Sequence, residues 1–311
     1  MNIFVAGHNG MVGSSITRLL KKDKKNKVYV ETRTSLDLKD SKKVLQYLKD
    51  NSIDQVYLAA AKVGGIKANN DYPVDFLYEN LSIQNSVITS AYQANVQRLM
   101  FLGSSCIYPK LSNQPINEKE LLSGYLEKTN EPYAVAKIAG IKLCQAYNKQ
   151  YKTDFRSLMP TNLYGPSDNY DLSTSHVLPA LIKKIHVAKV RCESNVEIWG
   201  SGQVKREFLH VEDLANASFY FMNLSEKYFF QNDNFGYINI GTGEDIKIID
   251  LAKKIANIIG YDGSFKLNKS MPDGTPRKLL DICLAKKLGW QSKISLKDGI
   301  KMTYSSFKEN L

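Results

Sequence analysis

Apolar and polar positions follow two rhythms along the first half of this chain. Ile3–Ala6 is a short apolar run, Met11–Leu20 repeats apolar residues at helical spacing, and Lys27–Thr32 alternates residue by residue. Helical spacing returns at Ser41–Lys49, over the long stretch Phe76–Asn95, and again at Pro132–Tyr151. Between these lie strand-like Gln55–Ala61, Arg98–Leu102 and Asp154–Met159. Such alternation predicts right-handed crossovers and a doubly wound parallel sheet of the α/β class, with helices on both faces. No internal repeat or low-complexity tract interrupts it.

After Tyr164-Gly165-Pro166 the rhythm loosens. A polar loop, Ser167–Ser175, precedes a helix at His176–Ala188; then come strand-like Val196–Trp199, a turn at Gly200–Gly202, and strand-like Arg206–His210. A further strand and helix follow at Tyr237–Ile240 and Ile248–Ile259, and Pro and Gly cluster at Met271–Pro276. The expected organisation is a Rossmann-like domain over residues 1–165, to which segments of about 207–245 return. A smaller α/β substrate-binding region then takes 166–206 and 246–311.

Composition narrows the class. Of 311 residues, 43% are hydrophobic and 23% charged, values of a soluble globular protein that exclude disordered, collagenous and coiled-coil chains. No apolar stretch approaches the roughly 18–20 residues that span a bilayer. The first residues read as a strand rather than a signal peptide. Cys106, Cys144, Cys192 and Cys283 are far apart and match no C-x-x-C spacing, so no metal is expected and a reducing, cytoplasmic setting fits. The net charge of +11 suits a polyanionic partner. The densest basic run, Lys21–Lys27, reads as a solvated helix end, and no nucleic-acid-binding signature accompanies it. Neither nucleic acid nor membrane is expected as a partner, which leaves a phosphate-rich small molecule.

The chemistry-bearing motifs agree with that. Gly7-His8-Asn9-Gly10-Met11-Val12-Gly13 is G-x-x-G-x-x-G at the first strand–helix junction, where glycines let backbone N–H groups approach a pyrophosphate. At the end of the second strand, Glu31 would suit the ribose hydroxyls of NAD and Arg33, 20 residues after Gly13, the 2′-phosphate of NADP. NADP(H) is the expected cofactor. Tyr133 and Lys137 form Y-x-x-x-K, one turn apart on one helix face, where an ammonium is expected to lower the pKa of the phenol for acid–base work. Gly103-Ser104-Ser105-Cys106 follows the strand Leu99–Leu102, placing hydroxyls and a thiol at the carboxyl edge of the sheet.

Together these motifs resemble the extended short-chain dehydrogenase/reductase superfamily. Longer strings, Tyr57–Gly65, Leu102–Pro109, Thr129–Lys137, Pro160–Pro166, Arg206–Val211 and Pro272–Lys278, are similar to its GDP-L-fucose synthase family nearly end to end. The resemblance implies a NADPH-dependent enzyme that epimerises a GDP-4-keto-6-deoxy-sugar at C3 and C5 and then reduces C4. It implies Ser104, Tyr133 and Lys137 as the reductase group, and Cys106 and His176 as the acid–base pair of epimerisation. Beside the glycine turn it implies Leu102, Gly103, Ser104, Ser105, Lys137, Pro160, Thr161, Asn162, Leu163 and His176 as cofactor contacts. For the GDP-sugar it implies Lys184, Trp199, Arg206 and Asp273. A homodimer through Phe76–Asn95 and Pro132–Tyr151 is also implied. Many members carry Arg inside the glycine turn where this chain has Asn9, which removes one expected 2′-phosphate partner. His210, His186 and His8 are read as structural or as lining the turn.

Two alternatives stand beside this reading. A nucleotide-sugar 4,6-dehydratase would show an Asp-Glu pair after the strand-end hydroxyl, where this chain has Ser105-Cys106-Ile107; a 4-epimerase would consume no NADPH. A catalytically silent NADP-binding regulator is opposed by the intact Ser104, Tyr133 and Lys137.

Overall fold

Strands covered on both faces are mostly apolar, and the runs near the N-terminus become the centre of the main sheet. A computed structural model describes residues 1–231, 236–271 and 273–311. The chain runs β1 (Asn2–Ala6), α1 (Met11–Leu20), β2 (Lys27–Tyr29), α2 (Ser41–Asp50), β3 (Gln55–Leu58), α3 (Ile66–Asp71), α4 (Pro73–Gln93) and β4 (Arg98–Leu102). It continues through α5 (Glu131–Tyr151), β5 (Asp154–Pro160), β6 (Asn162–Tyr164), α6 (Val177–Val190), β7 (Asn195–Trp199) and β8 (Lys205–His210). The remainder is α7 (Val211–Asn223), α8 (Glu226–Phe229), β9 (Tyr237–Ile240), β10 (Asp245–Lys247), α9 (Ile248–Ile259), β11 (Ser264–Asn268), β12 (Arg277–Lys278), α10 (Cys283–Lys287) and α11 (Leu296–Glu309).

Six parallel strands form the main sheet in the order β2-β1-β3-β4-β5-β9. The chain reverses direction across the sheet between β1 and β3, opening a crevice at their carboxyl ends. One face of the sheet packs on side chains of α2, α4 and α5, among them Val44, Val87, Ile88 and Ile141. The other face packs on α1, α7 and α10 through Ile16, Leu214, Phe221 and Ala285. A third apolar cluster joins α6, α9 and α11 in the smaller part, around Ile182, Ile255 and Ile300.

That smaller part holds a sheet of β10, β8, β12 and β6, and a separate parallel pair of β7 and β11. Parts of the stretch 207–245 lie against the main sheet and parts do not. β9 pairs with β5, and α7 packs on α1, whereas β8 and β10 stay in the small sheet. Residues 232–235 of that segment, and Pro272 of the Pro-Gly cluster, lie outside the described residues.

Other boundaries moved for local reasons. β2 stops at Tyr29, three residues short of the alternating run, and β3 stops at Leu58, leaving 59–61 extended past the sheet edge. α4 begins at Pro73, where proline's missing N–H costs nothing in the first turn. β5 contains the fully buried Arg156, whose charge pairs with Asp154 and whose Nη1 donates to the Leu224 carbonyl at 2.7 Å, fastening the end of α7.

One buried carboxylate joins the two parts. Glu207 on β8 accepts from the backbone N–H groups of Thr242 (2.6 Å), Gly243 (2.7 Å) and Leu280 (3.0 Å). Its own carbonyl accepts from the Asn162 side chain at 2.8 Å. Burial raises its pKa against the pull of those N–H groups.

Candidate active site

The glycine turn is built for close approach of the backbone to itself. Gly7 sits at φ +94°, and a Cβ there would meet Ala60 N at 2.6 Å; at Gly13 it would lie 2.1 Å from the Gly7 carbonyl oxygen. Those two glycines are demanded by the fold itself. Gly10 is not, since a Cβ there finds only ordinary contact. Gly10 caps α1 with no side-chain hydrogen bond, and the first turn of this ten-residue helix has no acid, so its N–H groups stay open to an anion. Asn9, Met11 and Val12 complete the turn, and the His8 Nδ1 is buried there without a partner.

Beyond β2, Glu31 is held by its neighbours. Its carboxylate accepts from Ser35 Oγ at 2.7 Å and hydrogen-bonds Tyr47, whose pKa is raised first by burial and then by Glu31. Arg33 is exposed and only loosely paired with Glu79 at 3.7 Å.

The second cluster forms where β4 ends against the first turns of α5. Gly103 follows Leu102 with no room for a side chain, as a Cβ would meet Met159 Sδ at 2.4 Å. Ser104 caps the 3-10 turn Ser105–Ile107, its Oγ accepting from Cys106 N at 3.2 Å, and Ser105 is buried behind it. Tyr133 lies edge-on to Phe76 and hydrogen-bonds Ser104. Its pKa is raised, by burial first and by the nearby Cys106 second, and the Ser104 bond opposes both. This corrects the expectation that Lys137 lowers it. The lysine is itself buried, its pKa is pulled down to about 7 by desolvation, and its Nζ donates to the Leu102 carbonyl at 2.8 Å. Its ammonium stands 5.8 Å from the Tyr133 ring centroid.

Cys106 faces two groups that local spacing did not reveal. Asn130 Nδ2 donates to its Sγ at 3.2 Å, and Lys278 Nζ stands 3.6 Å from it. Both residues fall in strings quoted above, yet only the fold brings Lys278, 172 positions away, onto the thiol. Arg206 is coupled electrostatically to Cys106, Asp273 and Glu127; burial lowers its pKa, and its Nη2 donates to the Asp273 carbonyl at 3.3 Å. His176 caps α6. Its side chain opens onto solvent, but the surrounding protein still lowers its pKa by desolvation. Among the described residues, no hydrogen bond joins His176 to Cys106.

The remaining candidates divide. Lys184 Nζ lies 4.9 Å over the Trp199 ring, which is 42% exposed and so offers a face rather than core packing. The indole N–H donates to Glu197 at 3.1 Å. Asp273 Oδ1 accepts from Ser201 N at 2.8 Å, so one of its oxygens already holds the Gly200–Gly202 turn. Pro160 and Thr161 end β5, with Asn162 and Leu163 in β6 beside them. His210 is buried, with Nδ1 accepting from Glu212 N and Nε2 left without a hydrogen-bond partner. The four cysteines are free, and among the described residues no His, Cys, Asp and Glu cluster could hold a metal and no helix is long and apolar enough to cross a membrane.

Comparison with known proteins agrees with this geometry. Residues 3–239 match the family model for the NAD dependent epimerase/dehydratase family. The chain is 53% identical to GDP-L-fucose synthase of Escherichia coli (strain K12), over 99% of this chain and 97% of that one. It is 48% identical to GDP-L-fucose synthase 1 of Arabidopsis thaliana, over 99% and 94%. A GDP-6-OMe-4-keto-L-xylo-heptose reductase from C. jejuni superposes with a TM-score of 0.95 at 37% identity, covering 100% of this chain and 98% of that one. The chain belongs to the NAD dependent epimerase/dehydratase family, a family of nicotinamide-dependent enzymes, and within it to the GDP-L-fucose synthases.

Proposed function

We propose that the protein converts GDP-4-keto-6-deoxy-D-mannose to GDP-L-fucose, by epimerisation at C3 and C5 followed by reduction of C4 with NADPH. One observation carries the reading: Ser104, Tyr133 and Lys137 meet at the carboxyl edge of the sheet with the Cys106 thiol directly against them.

The open N-terminus of α1 and the unobstructed Gly10 fit a dinucleotide pyrophosphate. The exposed Arg33, with Glu31 engaged elsewhere, favours the 2′-phosphate of NADP(H). When bound, the reduced cofactor supplies hydride to C4. Tyr133 holds the proton that the C4 oxygen takes up, Ser104 donates a hydrogen bond to that oxygen, and Lys137 orients the nicotinamide ribose. Before reduction, the ketone acidifies the protons at C3 and C5. Cys106 and His176, neither of them bonded to the other, exchange those protons from separate directions. Lys184 and Arg206 supply charge to the diphosphate, Trp199 a flat face, and the free oxygen of Asp273 a polar contact.

The apolar residues exposed on α4 and α5, including Val74, Tyr78 and Val135, support a homodimer formed through these helices. Incubation with GDP-4-keto-6-deoxy-D-mannose and NADPH, with product identification, tests the function. GDP-L-fucose supports it. NADPH left unconsumed, or consumed to give only an unepimerised sugar, overturns it.

A further inference from the structure

Resting on the reading of Cys106 as an exchange group, we infer that Asn130 is a further catalytic residue, a two-position partner that follows the charge of the Cys106 sulfur. Asn130 stands at the head of α5, and its side chain makes no capping bond to that helix. Its Nδ2 donates to Cys106 Sγ at 3.2 Å. Its Oδ1 is shut off from solvent and has no hydrogen-bond partner. Turning the amide end for end therefore breaks no bond except the one to sulfur.

That freedom matters because the sulfur changes role during exchange. A thiolate only accepts hydrogen bonds, whereas a thiol also donates one. When the substrate gives up its proton, the C–H bond breaks, an S–H bond forms, and the carbon's electron pair moves toward the C4 oxygen. Before that step, the Asn130 N–H and the Lys278 ammonium at 3.6 Å both present donors to the sulfur. After it, Oδ1 can turn to accept the new S–H. Return of the proton to the opposite face of the carbon, from the other member of the pair, completes the inversion. The amide serves both charge states without gaining or losing a proton, which neither a carboxylate nor an ammonium at this position could do.

The test uses the full chain with NADP⁺ bound, so that exchange proceeds without reduction. Two quantities are read: deuterium incorporation at C3 and C5 from D₂O, and the pH dependence of Cys106 alkylation by iodoacetamide, located by mass spectrometry. Asn130→Asp keeps the shape but loses the donor. Exchange is expected to fall about 100-fold. The alkylation midpoint is expected to rise by about one pH unit or more. Hydride transfer to the already epimerised ketone, measured separately with NADPH, should fall far less than exchange. Asn130→Ser, which retains a donor and acceptor in one hydroxyl, should recover part of the exchange. Exchange and alkylation profiles indistinguishable from wild type in Asn130→Asp would overturn the inference, as would equal losses of exchange and hydride transfer. Failure of the underlying reading looks different, since Cys106→Ser would then exchange at the wild-type rate.

Discussion

The two halves of this molecule reach their chemistry by opposite routes. On the proposed cofactor side, the groups are neighbours in sequence: seven consecutive residues make the turn, and the first-turn amides of the following helix have no side-chain cap. On the substrate side, the groups around Cys106 come from positions 104, 130, 206 and 278, gathered by β4, the head of α5, β8 and β12. Local backbone geometry suffices for one half. The other depends on packing across the whole chain, so distant changes should disturb it while the first half stands.

The sharpest test removes one atom from the junction. Tyr133→Phe should lower reduction on the order of 10²–10⁴-fold while leaving NADPH binding measurable by fluorescence titration. Near-normal reduction would break the assignment. Next in size, Glu207→Gln replaces a carboxylate that accepts three backbone N–H groups with an amide that cannot accept them all. A loss of about 2–4 kcal/mol in urea unfolding is expected. C3 and C5 exchange should suffer more than NADPH affinity, because Leu280 lies two residues from Lys278. The reverse ranking would erase the contrast between the halves.

A third prediction concerns the buried lysine. Its pKa falls from 10.5 in the unfolded chain to about 7 in the fold, so between those values the unfolded state binds more protons. Stability of the ligand-free protein should therefore rise with pH from 7 toward 10, because the cost of burying the ammonium is complete below 7 and is relieved on approaching 10.5. Lys137→Met should abolish that rise, on the order of 2 kcal/mol, in urea melts compared at pH 7 and pH 9. An unchanged slope would mean that the ammonium is better accommodated than its burial implies. The smallest effect belongs to Arg33→Ala, which should weaken NADPH about tenfold and NADH hardly at all. Equal losses for both cofactors would reduce Arg33 to a surface contact with Glu79.

The same asymmetry governs what could be read from the chain. The parallel sheet is legible because β1, β3, β4 and β9 are short, mostly apolar runs between helical repeats, whereas β5 also buries Asp154 and Arg156. β6 and β12 escaped notice, being too short for a two-residue period to show. The glycine turn and the Tyr133–Lys137 spacing are local and stood out at once. Asn130 and Lys278 carry no local signature, and their meaning arises only when the 3-10 turn after β4 meets β12. The burial of Lys137 is hidden from the sequence for a related reason. Spacing shows that two side chains share a face but says nothing of how much solvent either retains.

The bonds to Glu207 also bear on how this sequence can change over time. The three short bonds come from backbone N–H groups, so a new side chain at Thr242 other than proline removes only the longer bond from its own hydroxyl at 3.4 Å. The requirement for an acceptor falls on one position alone. Variation among descendants of this chain should therefore be freest at Thr242, narrow at Gly243, whose φ of +79° excludes most side chains, and at the buried Leu280, and forbidden at Glu207 itself.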